Sequence, residues 1–210
     1  MRAMRVHELS ENVDVLRMDE VKLPAPGPGE VRLRLKACSV NFPDILMVQG
    51  KYQFKPDLPF SPGMEGAGIV AEVGYGVTRL KPGDRVVAGL RVGGFAEEVN
   101  VPELACRPIP GSMDFAAAAA YPAAYLTAYV ALVCRGHLQK GETLLVHGST
   151  GGVGLAAVEM GKLLGATVIA TSASDEKLKI VKERGADHVI NVSGGFREKV
   201  KELTGGRGAD

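Results

Sequence analysis

The sequence predicts an α/β protein in two parts: an all-β part over residues 1–113, then part of a doubly wound parallel sheet over 114–210. Three observations carry this reading. Up to about residue 110 the apolar segments are short and alternating, with prolines and glycines punctuating them. Beyond about residue 113 apolar residues recur with the ~3.6-residue period of a helix. From Thr143 onward strands and helices alternate one for one, which within one sheet makes the strands parallel.

In the first part Val31–Lys36, Gly68–Val73, Arg85–Ala88 and Phe95–Val99 read as strands. Pro24, Pro26, Pro28, Pro43, Pro59, Pro62, Pro82 and Pro102 mark the turns between them. In "LKPGDRVVA", Pro82 fixes φ, Gly83 accepts the positive φ of a type II turn, and Asp84 leads into a β-branched strand.

In the second part Phe115–Ala120 and Tyr125–Val133 read as helical pieces broken by Pro122. There follow a strand (143–147), helix (152–164), strand (167–171), helix (175–184), strand (188–191) and helix (196–204). Ser174 is placed to cap the second of the alternating helices, and Gly165 and Gly185 to end the first and second in the left-handed conformation. The closing "GGRGAD" reads as a loop, and three strands are only the first half of a dinucleotide-binding sheet, so the second half is expected to be missing.

Composition narrows the function. At 46% apolar and 23% charged residues the chain can bury a core and need not be disordered. Lys plus Arg number 25 against 24 Asp plus Glu, so there is no net field to gather nucleic acid, and any anion site must be local. Cys38, Cys106 and Cys134 form no Cys-x-x-Cys pair and are odd in number, which favours a reducing, cytoplasmic setting over a disulfide framework or a zinc knuckle. The N-terminus lacks an apolar h-region, and no stretch is expected to reach the ~20 apolar residues of a membrane span, since Phe115–Tyr125 is short and interrupted by Pro122.

The chemistry centres on "HGSTGGVG", residues 147–154. A strand, a glycine-rich turn and a helix N-terminus together offer free backbone N–H groups at the positive end of a helix dipole, as a pyrophosphate requires. Ser149, Gly151, Gly152, Val153 and Gly154 are therefore the candidate cofactor-binding residues, although Ser149 stands where G-x-G-x-x-G has its first glycine. The rival reading is a turn that serves only helix–strand packing. An NAD-selective site places an acid at the end of the second strand, ~20 residues on. Here that strand ends in Ser172, and Lys177 lies one turn into the next helix, which favours NADP; a solvated Lys177 beside Asp175 and Glu176 is the alternative.

With "APGPGEVRLRLKACSVNFPDILMVQGKY", "PFSPGMEGAGIVAEVG", "LKPGDRV" and "HGSTGGVG" in order, the chain resembles the zinc-free quinone oxidoreductase branch of the medium-chain dehydrogenase/reductase superfamily, which includes zeta-crystallin. The resemblance implies a GroES-like β-barrel followed by a Rossmann domain, with NADPH as cofactor, a quinone or α,β-unsaturated carbonyl as substrate, and a homodimer when full length. It puts Asn41 and Thr127 near the nicotinamide, and Asp44 and Tyr52 facing the acceptor. Zinc alcohol dehydrogenases of the superfamily carry Cys where this chain has Asn41 and His where it has Met64, and their structural-zinc lobe would fall in "VAGLRVGGFAEE", so no metal is expected. One departure is Val192, where several relatives have a tyrosine near the adenosine phosphate.

From the residues themselves, Tyr52 reads equally as a proton donor or as packing beside Gly50 and Phe54, and Asp44 as a site residue or a loop anchor. Cys38 reads as a small core residue rather than a nucleophile, and His147 as a packing or loop residue. Two other functions remain open at this stage: an enoyl-thioester reductase of the same superfamily, and a vesicle-trafficking or structural relative with little catalysis.

Overall fold

The structure, a computed structural model, describes residues 1–210, which form two compact units, Met1–Ala123 and Ala124–Asp210. The division falls inside a helix and not near residue 113, because the first turns of that helix bury Ala118 and Ala119 against Ala67 and Val87 of the first unit.

The first unit opens with strands β1 (Arg2–Val6) and β2 (Leu16–Glu20), paired antiparallel. β3 (Glu30–Cys38), β4 (Glu65–Val73), β5 (Arg85–Gly89), β6 (Glu98–Pro102) and β7 (Cys106–Pro108) form an antiparallel sheet in the order β6-β3-β4-β5-β7. Single bridges, Ala3 to Ala96 and Val6 to Phe60, tie the β1–β2 pair to this unit. The alternation of "VRLRL" is what buries Val31 and Leu33, with Val70, Val86 and Val101, while Arg32 reaches Glu72 at 2.8 Å on the other face. Gly68 in β4 lies so close to β3 that a Cβ there would sit 2.2 Å from the Arg34 carbonyl oxygen.

Three expectations for this half are corrected. Strand β6 begins at Glu98, not Phe95: the N–H groups of Gly93, Gly94 and Phe95 donate to the carbonyls of Ser61, Gly63 and Pro62, and Ala96 forms only a single bridge, to Ala3. The half is not purely β: Phe42–Val48 is a helix, α1, opened by Asn41 with proline in its first turn. The hairpin strands β1 and β2 and the short β7 lie outside the expected set.

Pro122 does not break the next helix. α2 (Phe115–Tyr129) runs through it and continues as a π-helical segment, Val130–Arg135. Asp114 caps the start, its carboxylate accepting from the Ala117 N–H at 2.7 Å. Beside the proline, the Ala123 N–H donates 2.7 Å to the carboxylate of Glu65, so a polar partner outside the helix meets the distortion. Phe115–Arg135 is consequently 21 residues of continuous helix, apolar and long enough to cross a membrane by length and composition, contrary to the expectation that no stretch is.

The second unit follows the expected alternation closely: β8 (Thr143–Val146), α3 (Gly152–Leu163), β9 (Thr167–Ser172), α4 (Asp175–Glu183), β10 (His188–Asn191) and α5 (Arg197–Leu203). The strands are parallel in the order β10-β9-β8. β9 is central, and Val168, Ile169, Ala170 and Thr171 are buried in succession, as a strand covered on both faces requires. Gly165 and Gly185 take φ of 85° and 110° after their helices, and Ser174 Oγ accepts from the Lys177 N–H at 3.3 Å.

Candidate functional site

In the second unit the chain leaves β8 at His147 and turns at Gly148, whose φ is 60°. α3 begins at Gly152 with Gly151 at its cap position, and no side chain caps it. The Leu155 N–H donates to the Gly151 carbonyl at 2.8 Å, so the amides of Gly152, Val153 and Gly154 belong to the turn a helix cannot satisfy internally. Gly151, Gly152 and Val153 are exposed. A cavity of about 520 Å³ opens here, lined by His147, Gly148 and Gly151–Gly154 among others.

The turn can be this tight only with glycine at 154. A Cβ there would stand 2.3 Å from the Gly148 carbonyl oxygen and 2.8 Å from the Ser149 Cα. At Gly151 the nearest atom would be 3.7 Å away. The backbone thus presents an uncapped amide cluster with no side chain in front of it, which fits a diphosphate.

Ser149 is not part of that exposed surface. It is fully buried, and both its N–H and its hydroxyl donate to the Thr171 carbonyl, at 3.2 and 3.0 Å, so it fastens the turn to β9. The Thr150 hydroxyl, on the same loop, lies 3.5 Å from Ser172 Oγ at the end of β9. Ser172 also accepts from the Ser174 N–H at 3.3 Å. Lys177 is exposed one turn into α4, while Asp175 accepts from the Asn191 amide at 2.8 Å. His147 shares a 2.9 Å hydrogen bond with Thr171 Oγ1 and packs edge-on to Phe196, as a loop residue would. Thr127 is exposed on α2.

The first unit brings together a second set of polar groups. Asn41 and Asp44 are joined through the backbone of α1, the Asp44 carboxylate accepting from the Asn41 N–H at 2.8 Å and, with its other oxygen, from the Gly63 N–H at 2.9 Å. Asp44 is only 2% exposed and its two oxygens fasten the Gly63 loop to α1, the loop-anchor alternative among its two readings. Burial raises its pKa, and the Glu65 carboxylate adds to that, against the two amide bonds that lower it. Tyr52 lies half-buried in the apolar cluster of Met47, Val48 and Phe60, the packing alternative among its two readings.

The residue that sequence reasoning missed is Glu65. It is 2% exposed, and its carboxylate accepts from the Asn41 side-chain amide at 2.9 Å, from the Ser39 hydroxyl, and from the Ala123 N–H at 2.7 Å. The signal was available: an acid within "GMEGAGIVA", among small and apolar neighbours, must find partners if it is buried. Thr171 and Gly148, which shape the glycine turn, were likewise unremarked.

Cys38 donates to the Glu65 carbonyl at 2.9 Å, and burial raises its pKa to about 12, with Asp44 and Glu65 contributing; burial also raises Cys106 to about 11. Both stay thiols at neutral pH. Ellman's reagent is therefore expected to label one cysteine quickly, the exposed Cys134, and rapid labelling of Cys38 would contradict this account.

Two family models match the chain: the alcohol dehydrogenase GroES-like domain over residues 27–111 and the zinc-binding dehydrogenase over 152–210. Among curated relatives, the human synaptic vesicle membrane protein VAT-1 homolog is 46% identical over 82% of this chain and 46% of its own length. Rat quinone oxidoreductase is 38% identical over 100% of this chain and 64% of its own length. The chain thus spans about half to two thirds of such relatives. Similar solved structures include a probable oxidoreductase from Mycobacterium abscessus (42% identity, 100% of this chain, 67% of that one, TM-score 0.93). Others are a mycobacterial protein complexed with NADPH (35%, 100%, 65%, 0.90) and an NAD-dependent alcohol dehydrogenase (35%, 100%, 69%, 0.93).

Proposed function

The chain belongs to the medium-chain dehydrogenase/reductase superfamily, and from this premise we propose that it is of the quinone oxidoreductase branch and carries the chemistry of an NADPH-dependent, zinc-free reductase of quinones or related α,β-unsaturated carbonyls. The observation behind this reading is the uncapped, exposed N-terminus of α3 behind a turn that admits no Cβ at Gly154. The amides of Gly152, Val153 and Gly154 would hold the diphosphate, and the absence of an acid at Ser172, with Lys177 nearby, would tolerate a 2′-phosphate.

When bound, the dihydronicotinamide supplies the hydride. The protein's share is to hold cofactor and acceptor in register and keep water out. Asn41, Tyr52 and Thr127 are assigned to that task by resemblance. The zinc-free part of this reading is supported by the chemistry of two positions: the Asn41 amide nitrogen is engaged with Glu65 and Met64 packs in an apolar cluster, and neither an amide nor a thioether is a usual zinc ligand.

The likeness to the vesicle protein favours one second reading, a relative of the fold with little catalysis. One experiment separates the two. The full-length protein is mixed with NADPH and a naphthoquinone, with NADH and a chelator as parallel arms, and absorbance loss is followed. Turnover that prefers NADPH and survives the chelator is expected. NADPH binding without turnover on any quinone or enone would establish the vesicle-type reading instead.

A further inference from the structure

We propose that Glu159 is a positioning residue, whose carboxylate holds α2 at Ala124 against the first turn of α3 and so walls one side of the amide cluster at Gly152–Gly154. The identity of the ligand, a dinucleotide diphosphate, rests on the reading above; the juxtaposition does not. All of these residues lie in the second unit, Ala124–Asp210.

Gly152 and Glu159 are seven residues apart on α3, two helical turns, so the two positions share one face about 10 Å apart. α2 meets that face at both points. A Cβ on Gly152 would stand 3.9 Å from the Ala124 Cβ, and the next residue, Tyr125, donates its hydroxyl to the Glu159 carboxylate. Farther along, Leu132 lines the cavity beside the glycine turn. Glu159 is two turns from the free amides, too far to touch a diphosphate, so any effect it has on binding passes through α2.

This stretch of helix depends on a polar anchor. From Ala124 to Arg135 only Ala128 is buried, so apolar packing does little to fix where the stretch lies. Glu159 supplies the fixed point. Its side chain is 22% exposed, one oxygen accepting from Tyr125 and the other from Arg184 Nη1 at 3.2 Å, so α2, α3 and the end of α4 are tied through one carboxylate. Holding Ala124 at the cap of α3 keeps water from one side of the amides while Gly152 and Val153 stay exposed to a ligand. The pull of those amides on an anion strengthens as water is excluded.

The test is NADPH fluorescence titration beside thermal unfolding, on the full-length protein. Tyr125→Phe and Glu159→Gln are each expected to weaken binding about fivefold, the loss of one hydrogen bond's worth of positioning, and to lower the unfolding midpoint by only about 2–4 °C. The double variant should bind no worse than either single one, since both break the same link. Arg184→Ala, which removes a partner 59% exposed, should bind within about twofold of the wild type. Losses that add in the double variant, or midpoints that fall while binding is unchanged, would make Glu159 a structural brace and overturn the proposal. Ala124→Leu tests the wall directly, whether or not the Glu159 variants fold: its longer side chain should crowd the amides and weaken binding about tenfold or more, and wild-type affinity would overturn the proposal. Wild-type protein that binds no NADPH would sink the functional reading and this proposal with it. Wild-type protein that binds, with every variant binding equally well, would sink this proposal alone.

Discussion

Gly154→Val is expected to weaken NADPH binding by more than a hundredfold while costing about 2 kcal/mol of stability, the range for forcing a side chain into a packed site. The obstructing atoms are backbone, the Gly148 carbonyl oxygen at 2.3 Å and the Ser149 Cα at 2.8 Å, so no rotamer change relieves the clash. The turn must open, and Ser149 is the point it opens against, since its two bonds to the Thr171 carbonyl tie the loop to β9. Opening moves the amides of Gly152 and Val153 away from the geometry that grips a diphosphate. Gly151→Ala is the control. Its Cβ would meet nothing nearer than 3.7 Å and its φ of −85° suits any residue, so its thermal midpoint should match the wild type. Fluorescence titration with NADPH beside thermal unfolding separates binding from folding, and a Gly154→Val protein that binds normally would remove the turn from the cofactor site.

What the sequence disclosed and what it hid follow one physical division. β9 and its flanking helices were legible because each carries its own signal: four buried residues in a row, Ser174 at a helix start, and glycines where φ turns positive. α1 was not, because seven residues give less than two helical turns of periodicity, and only the Asn41-to-Asp44 spacing with Pro43 announces it. Pro122 misled for a different reason. Its cost in a helix depends on whether the freed backbone groups find partners, and here one partner is Glu65, far away in sequence. The same long-range dependence explains the candidate site. The glycine turn could be read locally, since backbone geometry makes it, whereas the roles of Asp44 and Glu65 depend on Gly63, Ser39 and Ala123, which only the fold brings near.

Asp44 offers the sharpest test of that distinction, because the resemblance places it at the acceptor while its two oxygens hold the backbone of Asn41 and Gly63. Asp44→Ala is expected to lower stability by about 2–4 kcal/mol, summing a lost helix cap and a buried Gly63 N–H left without an acceptor. Asp44→Asn keeps the shape but can accept at only one oxygen, so one of the two amides, Asn41 or Gly63, is orphaned. Its deficit relative to wild type should depend on pH. Burial holds the folded-state pKa of Asp44 above its unfolded value of about 4, so the folded protein keeps the proton more tightly than the unfolded chain. That contribution is complete below about pH 4 and is lost as pH rises through the folded pKa. Denaturant unfolding at a series of pH values should therefore show the gap between wild type and Asp44→Asn widest near pH 4 and narrowing toward neutrality. A gap that widens with pH would mean that the two amide bonds outweigh desolvation and that Asp44 is held as a stable anion. An Asp44→Ala protein of unchanged stability and lost turnover would return the residue to the reacting groups.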